Sequence, residues 1–268
     1  MLTNIIITLA LLLLSFFGLQ RLFTLPKNVW LLFLVQPLVM AASPVIVFIG
    51  GILATSMGAD PALVTLPVTV MILGVASTAI PAALLAQKKG RRFATFTGFM
   101  LGFSGTMLAM FAALNGSFEL LVLASLLFGS CTAFIQQLRF AAIESISDSK
   151  DVPTVLSILM LSGIFSAFLG PEIAVTAKDW LSSPYGYAGS FLFLAGLFLV
   201  AMLLMLNFRD AEIKPSGKHG EIRALSKIIK QPIFIIAILS AAIGFALMSY
   251  LMTATPLSMH HLHGHSLN

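Results

Sequence analysis

Gln87-Lys88-Lys89-Gly90-Arg91-Arg92 is a short basic stretch between two long runs of residues that carry no charge. The two runs cover residues 61–87 and 93–118. Each run is long enough to cross a bilayer, because about 20 apolar residues in a helix span a hydrocarbon core of about 30 Å. The stretch therefore predicts a tight loop that joins two membrane-spanning helices.

The composition of the whole chain is that of an integral membrane protein. Of its 268 residues, 59% are hydrophobic and 9% are charged, whereas a soluble domain has about 25% charged residues. The uncharged runs are 1–20, 28–59, 61–87, 93–118, 120–138, 152–171, 180–208 and 231–268. None alternates with the period of two that transmembrane strands require. The predicted fold is all-α, with eight candidate membrane helices.

The positions of the cations predict an orientation. Every lysine and arginine except Lys178 lies in alternate loops, beginning with Arg21 and Lys27. The positive-inside rule places these loops in the cytoplasm. We therefore expect a multi-pass protein of the inner or plasma membrane, in contact with lipid. Because the cations are spread over loops and form no basic face, no nucleic acid partner is expected.

The order of apolar and polar segments predicts four parts of the chain. Residues 1–27 are an extra apolar helix or an over-long start, and both alternatives stay open. Residues 28–208 hold six helices. Residues 209–230 are a polar linker whose Ile222, Leu225, Ile228 and Ile229 share one face, which is typical of a basic amphipathic helix on a membrane surface. Residues 231–268 hold one more helix and end in a histidine cluster.

The histidine cluster is not predicted to bind metal. It consists of His260, His261, His263 and His265. This spacing is too dense for a regular tetrahedral site on one helix, and a short histidine tract is only a compositional signal. We expect no metal and no cofactor.

Six helices, a charged linker and a seventh helix resemble the major facilitator superfamily (MFS), whose fold has two six-helix halves. The loop between the second and third helices of that family reads approximately G-x-L-x-D-R-x-G-R-R. Here Leu85, Lys88, Gly90, Arg91 and Arg92 match it, while Ala83 and Gln87 replace the first glycine and the acid. The resemblance implies a gate loop at Gln87, Gly90, Arg91 and Arg92. Because glutamine has no charge, an ionic latch at position 87 is not expected.

The resemblance covers residues 28 to about 260. It implies an MFS-like N-terminal half, a cytoplasmic linker and the first helix of a truncated second half. Three more stretches, 137–142, 168–172 and 252–257, resemble a subgroup of bacterial permeases of poorly known substrate. The antiporter pattern G-P-x-x-G-G is met only in part, because Ala174 and Val175 follow Gly170-Pro171 where the pattern has glycines.

The candidate cavity residues are neutral. Thr132, Gln136 and Arg139 are spaced i, i+4 and i+7, so on a continuous helix they share a face. In the family the first and fourth helices line the cavity, which favours Gln36 and Gln136 as substrate contacts, with Thr132 and Gln137 beside them. Each can equally be a hydrogen bond between helices.

The charged candidates lie near the membrane interfaces. Arg139 and Glu172 are each about 20 residues, or about 30 Å, into their spans. They are candidates for coupling to an ion, H+ or Na+, but the position of each favours an anchor at the interface. In the next basic loop, Glu144, Asp148 and Asp151 are candidate partners for the hairpin arginines.

The predicted function is secondary active transport of a small solute by alternating access. One alternative is an efflux antiporter of the same superfamily, and another is a seven-helix receptor-like protein. An enzyme is not predicted, because H-E-x-x-H, G-x-S-x-G and paired buried carboxylates are absent from the sequence.

Overall fold

The computed structural model of the chain describes residues 2–210 and 229–261. These residues form ten α-helices and no strand. The helices are α1 (Leu2–Leu22), α2 (Lys27–Met40), α3 (Ala42–Ser56), α4 (Leu66–Lys89), α5 (Arg91–Asn115), α6 (Phe118–Gln136), α7 (Leu138–Glu144), α8 (Val152–Thr176), α9 (Ala188–Met205) and α10 (Pro232–His261).

The described residues divide into two units. The first unit contains α1 to α9 and runs to Asp210, and the second contains α10. In total 8 helical segments are long and apolar enough to cross a membrane. The predicted all-α membrane fold is confirmed, including the MFS-like half of six spanning segments between Lys27 and Met205.

The basic hairpin forms the predicted tight turn. α4 ends at Lys89 and α5 begins at Arg91, with Gly90 between them. Gly90 has φ 90° and ψ 159°, a backbone conformation that is essentially restricted to glycine. Its N–H donates to the Ala86 carbonyl oxygen at 3.1 Å, which closes the last turn of α4. A single glycine therefore reverses the chain and places both arginines in the first turn of α5.

Two of the spanning segments consist of two helices each. α2 and α3 meet at Ala41, between Pro37 and Pro44; a proline inside a helix lacks the N–H that would continue the ladder. α6 and α7 meet at Gln137, whose N–H donates to Phe134 O at 3.0 Å. The predicted shared face of Thr132, Gln136 and Arg139 crosses this junction, and Gln136 and Arg139 are both exposed.

Small residues allow α5 to pack closely against α6 and α9. Gly98 faces Phe134 of α6, and a Cβ added there would overlap the phenylalanine ring. A Cβ at Gly102 would overlap Phe198 of α9 and lie 2.7 Å from Cys131 Sγ. Close approach of this kind is the usual reason for small residues between membrane helices. It gives α5 a fixed position, and with it the hairpin that begins α5.

The first helix, α1, packs against α2 and α8. Its Ile5 and Leu12 are buried. The ring of Phe16 meets Trp30 of α2 edge to face, at 5.9 Å between centroids and 88° between planes. Near the other end of α1, Asn4 Nδ2 donates to Glu172 Oε1 of α8 at 3.0 Å. In this structure the segment is a helix that belongs to the first unit.

Two of the predicted features fall outside the described residues. The proposed amphipathic helix of the linker lies there except for Ile229, and so do the side chains of the four histidines. The division of the chain at residues 27, 208 and 230 stays a prediction. In the second unit, α10 is apolar over Pro232–Leu251, with a mean hydropathy of 2.3.

Candidate gate loop and substrate cavity

The basic end of the first unit is defined here as the end that carries the hairpin. Two segments meet the hairpin there, namely the segment from α7 to residue 145 and residues 206–210 after α9. The start of α2 contacts both of these segments. Polar side chains and helix ends from all of these elements come within hydrogen-bonding distance. Hydrogen bonds thereby connect polar and charged residues that lie in separate loops of the sequence.

Arg91 joins α5 to the region around α7. Its Nε and Nη2 donate to the two carboxylate oxygens of Glu144 at 2.9 and 2.6 Å. Its Nη1 donates to Gln137 Oε1 at 3.2 Å, and its guanidinium lies 5.8 Å from the ring centroid of Phe140. Paired parallel bonds between arginine and a carboxylate give a specific geometry. Glu144 is therefore confirmed as a partner of a hairpin arginine.

The value of the Arg91–Glu144 pair lies in its geometry more than in its energy. The side chain of Glu144 is 46% exposed, and that of Arg91 is 17% exposed. Solvent screening limits such a pair to about 1 kcal/mol or less. Asp148, another predicted partner, instead accepts a hydrogen bond from Lys150 N in its own loop at 3.0 Å.

Arg92 joins α5 to the segment that follows α9. Its backbone N–H donates to Asp210 Oδ1 at 2.8 Å. Its Nη2 donates to Leu206 O, also at 2.8 Å. Arg92 is thus held through both its main chain and its side chain, and both partners lie within a five-residue segment.

Asn28 connects the start of α2 to both neighbours. Its Nδ2 donates to Arg209 O at 2.7 Å and to Ser145 Oγ at 3.1 Å. Its Oδ1 lies 3.5 Å from Arg209 N. Ser145 follows Glu144 in the chain, so the contacts return to the partner of Arg91. The side-chain amide of Asn28 therefore donates from its nitrogen and accepts at its oxygen.

These contacts form a closed circuit, named the polar ring here. It runs from the start of α5 to the segment after α9, on to the start of α2, then to the end of α7 and back to α5. Its members are Asn28, Arg91, Arg92, Gln137, Glu144, Ser145, Leu206, Arg209 and Asp210. Helices that are far apart in sequence are thereby held at one end of the unit.

The four predicted gate residues have different surroundings. Arg91 and Arg92 are members of the polar ring, and Gly90 provides the turn that positions them. Gln87 is exposed on the last turn of α4 and takes no part in the ring. The structure therefore brings three of the four together, and their role in gating stays a prediction.

The predicted cavity residues do not form one cluster. Gln36 of α2 is 3% exposed and its Nε2 donates to Leu159 O of α8 at 3.1 Å. Its Oε1 has no hydrogen-bond partner among the described residues. Gln136 is exposed at the end of α6, and Gln137 binds Arg91.

Thr132 pairs with a residue that the sequence did not single out. Its hydroxyl donates to Phe128 O in its own helix at 2.8 Å. The same oxygen lies 3.0 Å from Ser43 Oγ of α3, with which it shares a hydrogen bond. This pair ties α3 to α6.

The two coupling candidates are also separated. Arg139 is exposed on α7, beyond the interruption at Gln137. Glu172 is partly buried on α8 and accepts the hydrogen bond from Asn4. Among the described side chains there is no group of three or more histidine, cysteine or acidic residues that could hold a metal ion.

Sequence reasoning missed Asn28 and Asp210. Asn28 is the second residue of α2. A polar residue is common at the end of a membrane helix, so the sequence gives no reason to single it out. Asp210 lies just after the uncharged run 180–208, with Arg209 between them. A signal for Asp210 does exist: it is the first acid after α9, at the same end of the span as the hairpin that lacks an acid at position 87.

The eight apolar helical segments among the described residues define a multi-pass membrane protein. The sequence profile of the Major Facilitator Superfamily matches residues 29–267. The chain therefore belongs to the major facilitator superfamily.

Named relatives agree with this family. The chain is 31% identical to the riboflavin transporter RfnT of Brucella anthropi over 244 residues, which are 90% of this chain and 61% of that relative. It is 29% identical to YdeG of Bacillus subtilis, described as an uncharacterized MFS-type transporter, over 82% of this chain and 54% of the relative. The chain thus spans between about half and three-fifths of the length of these relatives.

Proposed function

We propose that the chain is the N-terminal half, with the first helix of the second half, of a secondary active transporter. The transporter moves a small solute across the cytoplasmic membrane by alternating access, in which two halves rock about a central site. The observation that carries this proposal is the polar ring at the basic end, in a member of a transporter family. The ring holds the helix ends of this half together, so that the half can move as one body when the two halves rock.

The basic end is proposed to face the cytoplasm, on the positive-inside rule. The polar ring then forms part of the inner gate, built on the hairpin. Gln36, Thr132, Gln136 and Gln137 are proposed to lie along the solute path. Of these, Gln36 has the strongest support, because a buried acceptor oxygen without a partner is costly unless a donor reaches it during the cycle.

Riboflavin is the first solute to test. The support is the name of the Brucella anthropi relative together with 31% identity over 90% of this chain. Riboflavin also fits a neutral path, because it offers hydrogen-bond donors and acceptors and carries no net charge. Arg139 and Glu172 are proposed as coupling residues for H+ or Na+.

The test is uptake by a bacterial strain that neither makes nor imports riboflavin, expressing the complete reading frame of the gene. We expect growth on low external riboflavin and saturable uptake of the labelled vitamin. Collapsing the proton and sodium gradients separately identifies the coupling ion. Absence of uptake at normal protein level would remove riboflavin as the solute, and efflux from preloaded cells would favour the antiporter alternative.

A further inference from the structure

We propose that a groove between the start of α5 and the segment after α9 binds an anionic phospholipid from the leaflet at the basic end. The groove, named the α5–α9 groove here, has a volume of about 580 Å³, within the usual range for ligand pockets of about 300–1,000 Å³. Its lining includes Arg92, Phe93, Phe96, Met100, Leu206 and Asp210. The inference goes beyond the proposed transport function and does not depend on it.

The first support is that the groove opens on an apolar surface of the first unit. The exposed apolar side chains at and beside the groove belong to both of its walls. They are Phe93 and Met100 on α5, and Leu199, Leu203 and Leu206 on and just after α9. Each is between 46% and 64% exposed. In a multi-pass membrane protein, an exposed apolar surface of this kind is suited to contact with lipid tails.

The second support is the positive charge at the mouth of the groove. Lys89 Nζ lies 4.9 Å from the centroid of the Phe93 ring, which holds this cation beside the groove. Arg92 uses Nη2 for Leu206 O, and its other guanidinium N–H groups make no hydrogen bond to a described residue. Asp210 also lines the mouth, but its Oδ1 already accepts the backbone N–H of Arg92. A basic pocket of this kind at the end of membrane helices suits the phosphate of a headgroup.

The third support is the order of charged and apolar side chains along the groove. Its lining on α5 runs from Arg92 to Met100, which at about 1.5 Å per residue is about 12 Å along the helix. Beyond Arg92 this wall consists of Phe93, Phe96, Thr97 and Met100. The Thr97 hydroxyl donates to Phe93 O within the helix at 3.0 Å, so it is already satisfied. A phospholipid has the same order, with a charged headgroup at the interface and an acyl chain that runs beside the spanning helices.

The proposal is tested by photocrosslinking of the complete protein in vesicles of phosphatidylglycerol and phosphatidylethanolamine with identical acyl chains. The photoreactive amino acid benzoylphenylalanine replaces Leu206, and mass spectrometry identifies the attached lipid. Leu192 carries the same probe in the control, because it is 46% exposed near the opposite end of α9. At position 206 we expect phosphatidylglycerol to exceed its share of the bilayer at least about fivefold, the factor for one cation near an anionic headgroup. At position 192 we expect the ratio of the bilayer.

The role of the cations is tested in the same vesicles. Lys89→Gln is expected to lower the enrichment at position 206 about fivefold, by the same factor for one cation. Lys150→Gln is the matched control, because Lys150 is an exposed cation in the loop between α7 and α8 and does not line the groove. High salt is expected to lower the enrichment as well, since it screens exposed charges. If Lys89→Gln does not accumulate, the comparison of low and high salt replaces it.

Three results would overturn the proposal. The first is a lipid ratio at position 206 equal to that of the bilayer, and the second is an enrichment that neither Lys89→Gln nor high salt changes. The third is crosslinking of position 206 to this chain or to a second copy in place of lipid, because a protein segment would then cover the groove. None of these measurements uses transport, so a protein that transports no solute would refute the proposed function alone.

Discussion

Arg91 engages three groups with one planar side chain: a carboxylate, an amide oxygen and an aromatic ring. Lysine, which is a point charge on a flexible stem, cannot reproduce this arrangement. At the residue scale, specificity in the polar ring therefore depends on the shape of the guanidinium and on the turn at Gly90 that aims it. A positive charge in the hairpin is not sufficient for membership of the polar ring, because Lys88 is exposed in the same hairpin and is not a member.

We expect Arg91→Ala to lower uptake about tenfold while leaving protein level nearly unchanged. The small effect on folding follows from the exposure of Glu144, since an exposed pair contributes about 1 kcal/mol or less. Arg91→Lys should recover only part of the activity. Uptake rates are normalised to protein level, and Lys88→Ala is the control in the same turn. Full uptake by Arg91→Ala would contradict a gating role.

At the scale of elements, interruptions and added helices place the polar groups. At the junction of α6 and α7, the side chain of Gln137 accepts a hydrogen bond from Arg91. α1 covers part of α2 and α8, where it provides Asn4 as the partner of Glu172. Both effects arise from packing between elements and have no counterpart in the local sequence pattern.

If α1 is an integral helix, its contact with Trp30 contributes to stability. We expect Phe16→Ala to destabilise the protein by about 1–3 kcal/mol, because it removes a large, partly buried ring from an aromatic pair. Thermal unfolding in detergent measures the effect. Leu14→Ala is the control on the same helix, since Leu14 is 67% exposed. Equal stability of both variants would favour an over-long start over a genuine helix.

At the scale of the whole molecule, the distribution of cations gives the spanning segments a direction. Alternate loops carry nearly all lysines and arginines. The positive-inside rule therefore assigns all of these loops to the same, cytoplasmic side of the membrane. The polar ring lies at that same end. If the basic loops face the cytoplasm, the proposed inner gate faces it too. A test of the orientation is therefore also a test of the position of the gate.

Cysteine labelling tests this prediction. Cys131 is the single cysteine and is buried, so Cys131→Ala provides a background for this part of the protein. In intact cells, an impermeant maleimide is expected to label Ala62→Cys, which is exposed between α3 and α4, and not Lys88→Cys. In inside-out vesicles the pattern should reverse. Labelling of Lys88→Cys from outside would show the opposite orientation.

The amino-acid sequence by itself determined the class of protein, the spanning segments and the turn at Gly90. Apolar length, loop charge and the conformational range of glycine are local properties, and they are readable wherever they occur in a chain. The same reasoning anticipated Glu144 as a partner of a hairpin arginine, because opposite charges stood in neighbouring loops at one end.

Only the tertiary structure decided which polar groups meet. Asn28 and Asp210 are far apart in sequence from the hairpin, and their contacts depend on the angles and offsets at which α2, α5 and α9 pack. Gln36 and Gln137, both predicted for one cavity, are separated because one is buried against α8 and the other follows a helix interruption. Close packing at glycines such as Gly98 and Gly102 sets where α5 lies against α6 and α9, and hydropathy does not record it.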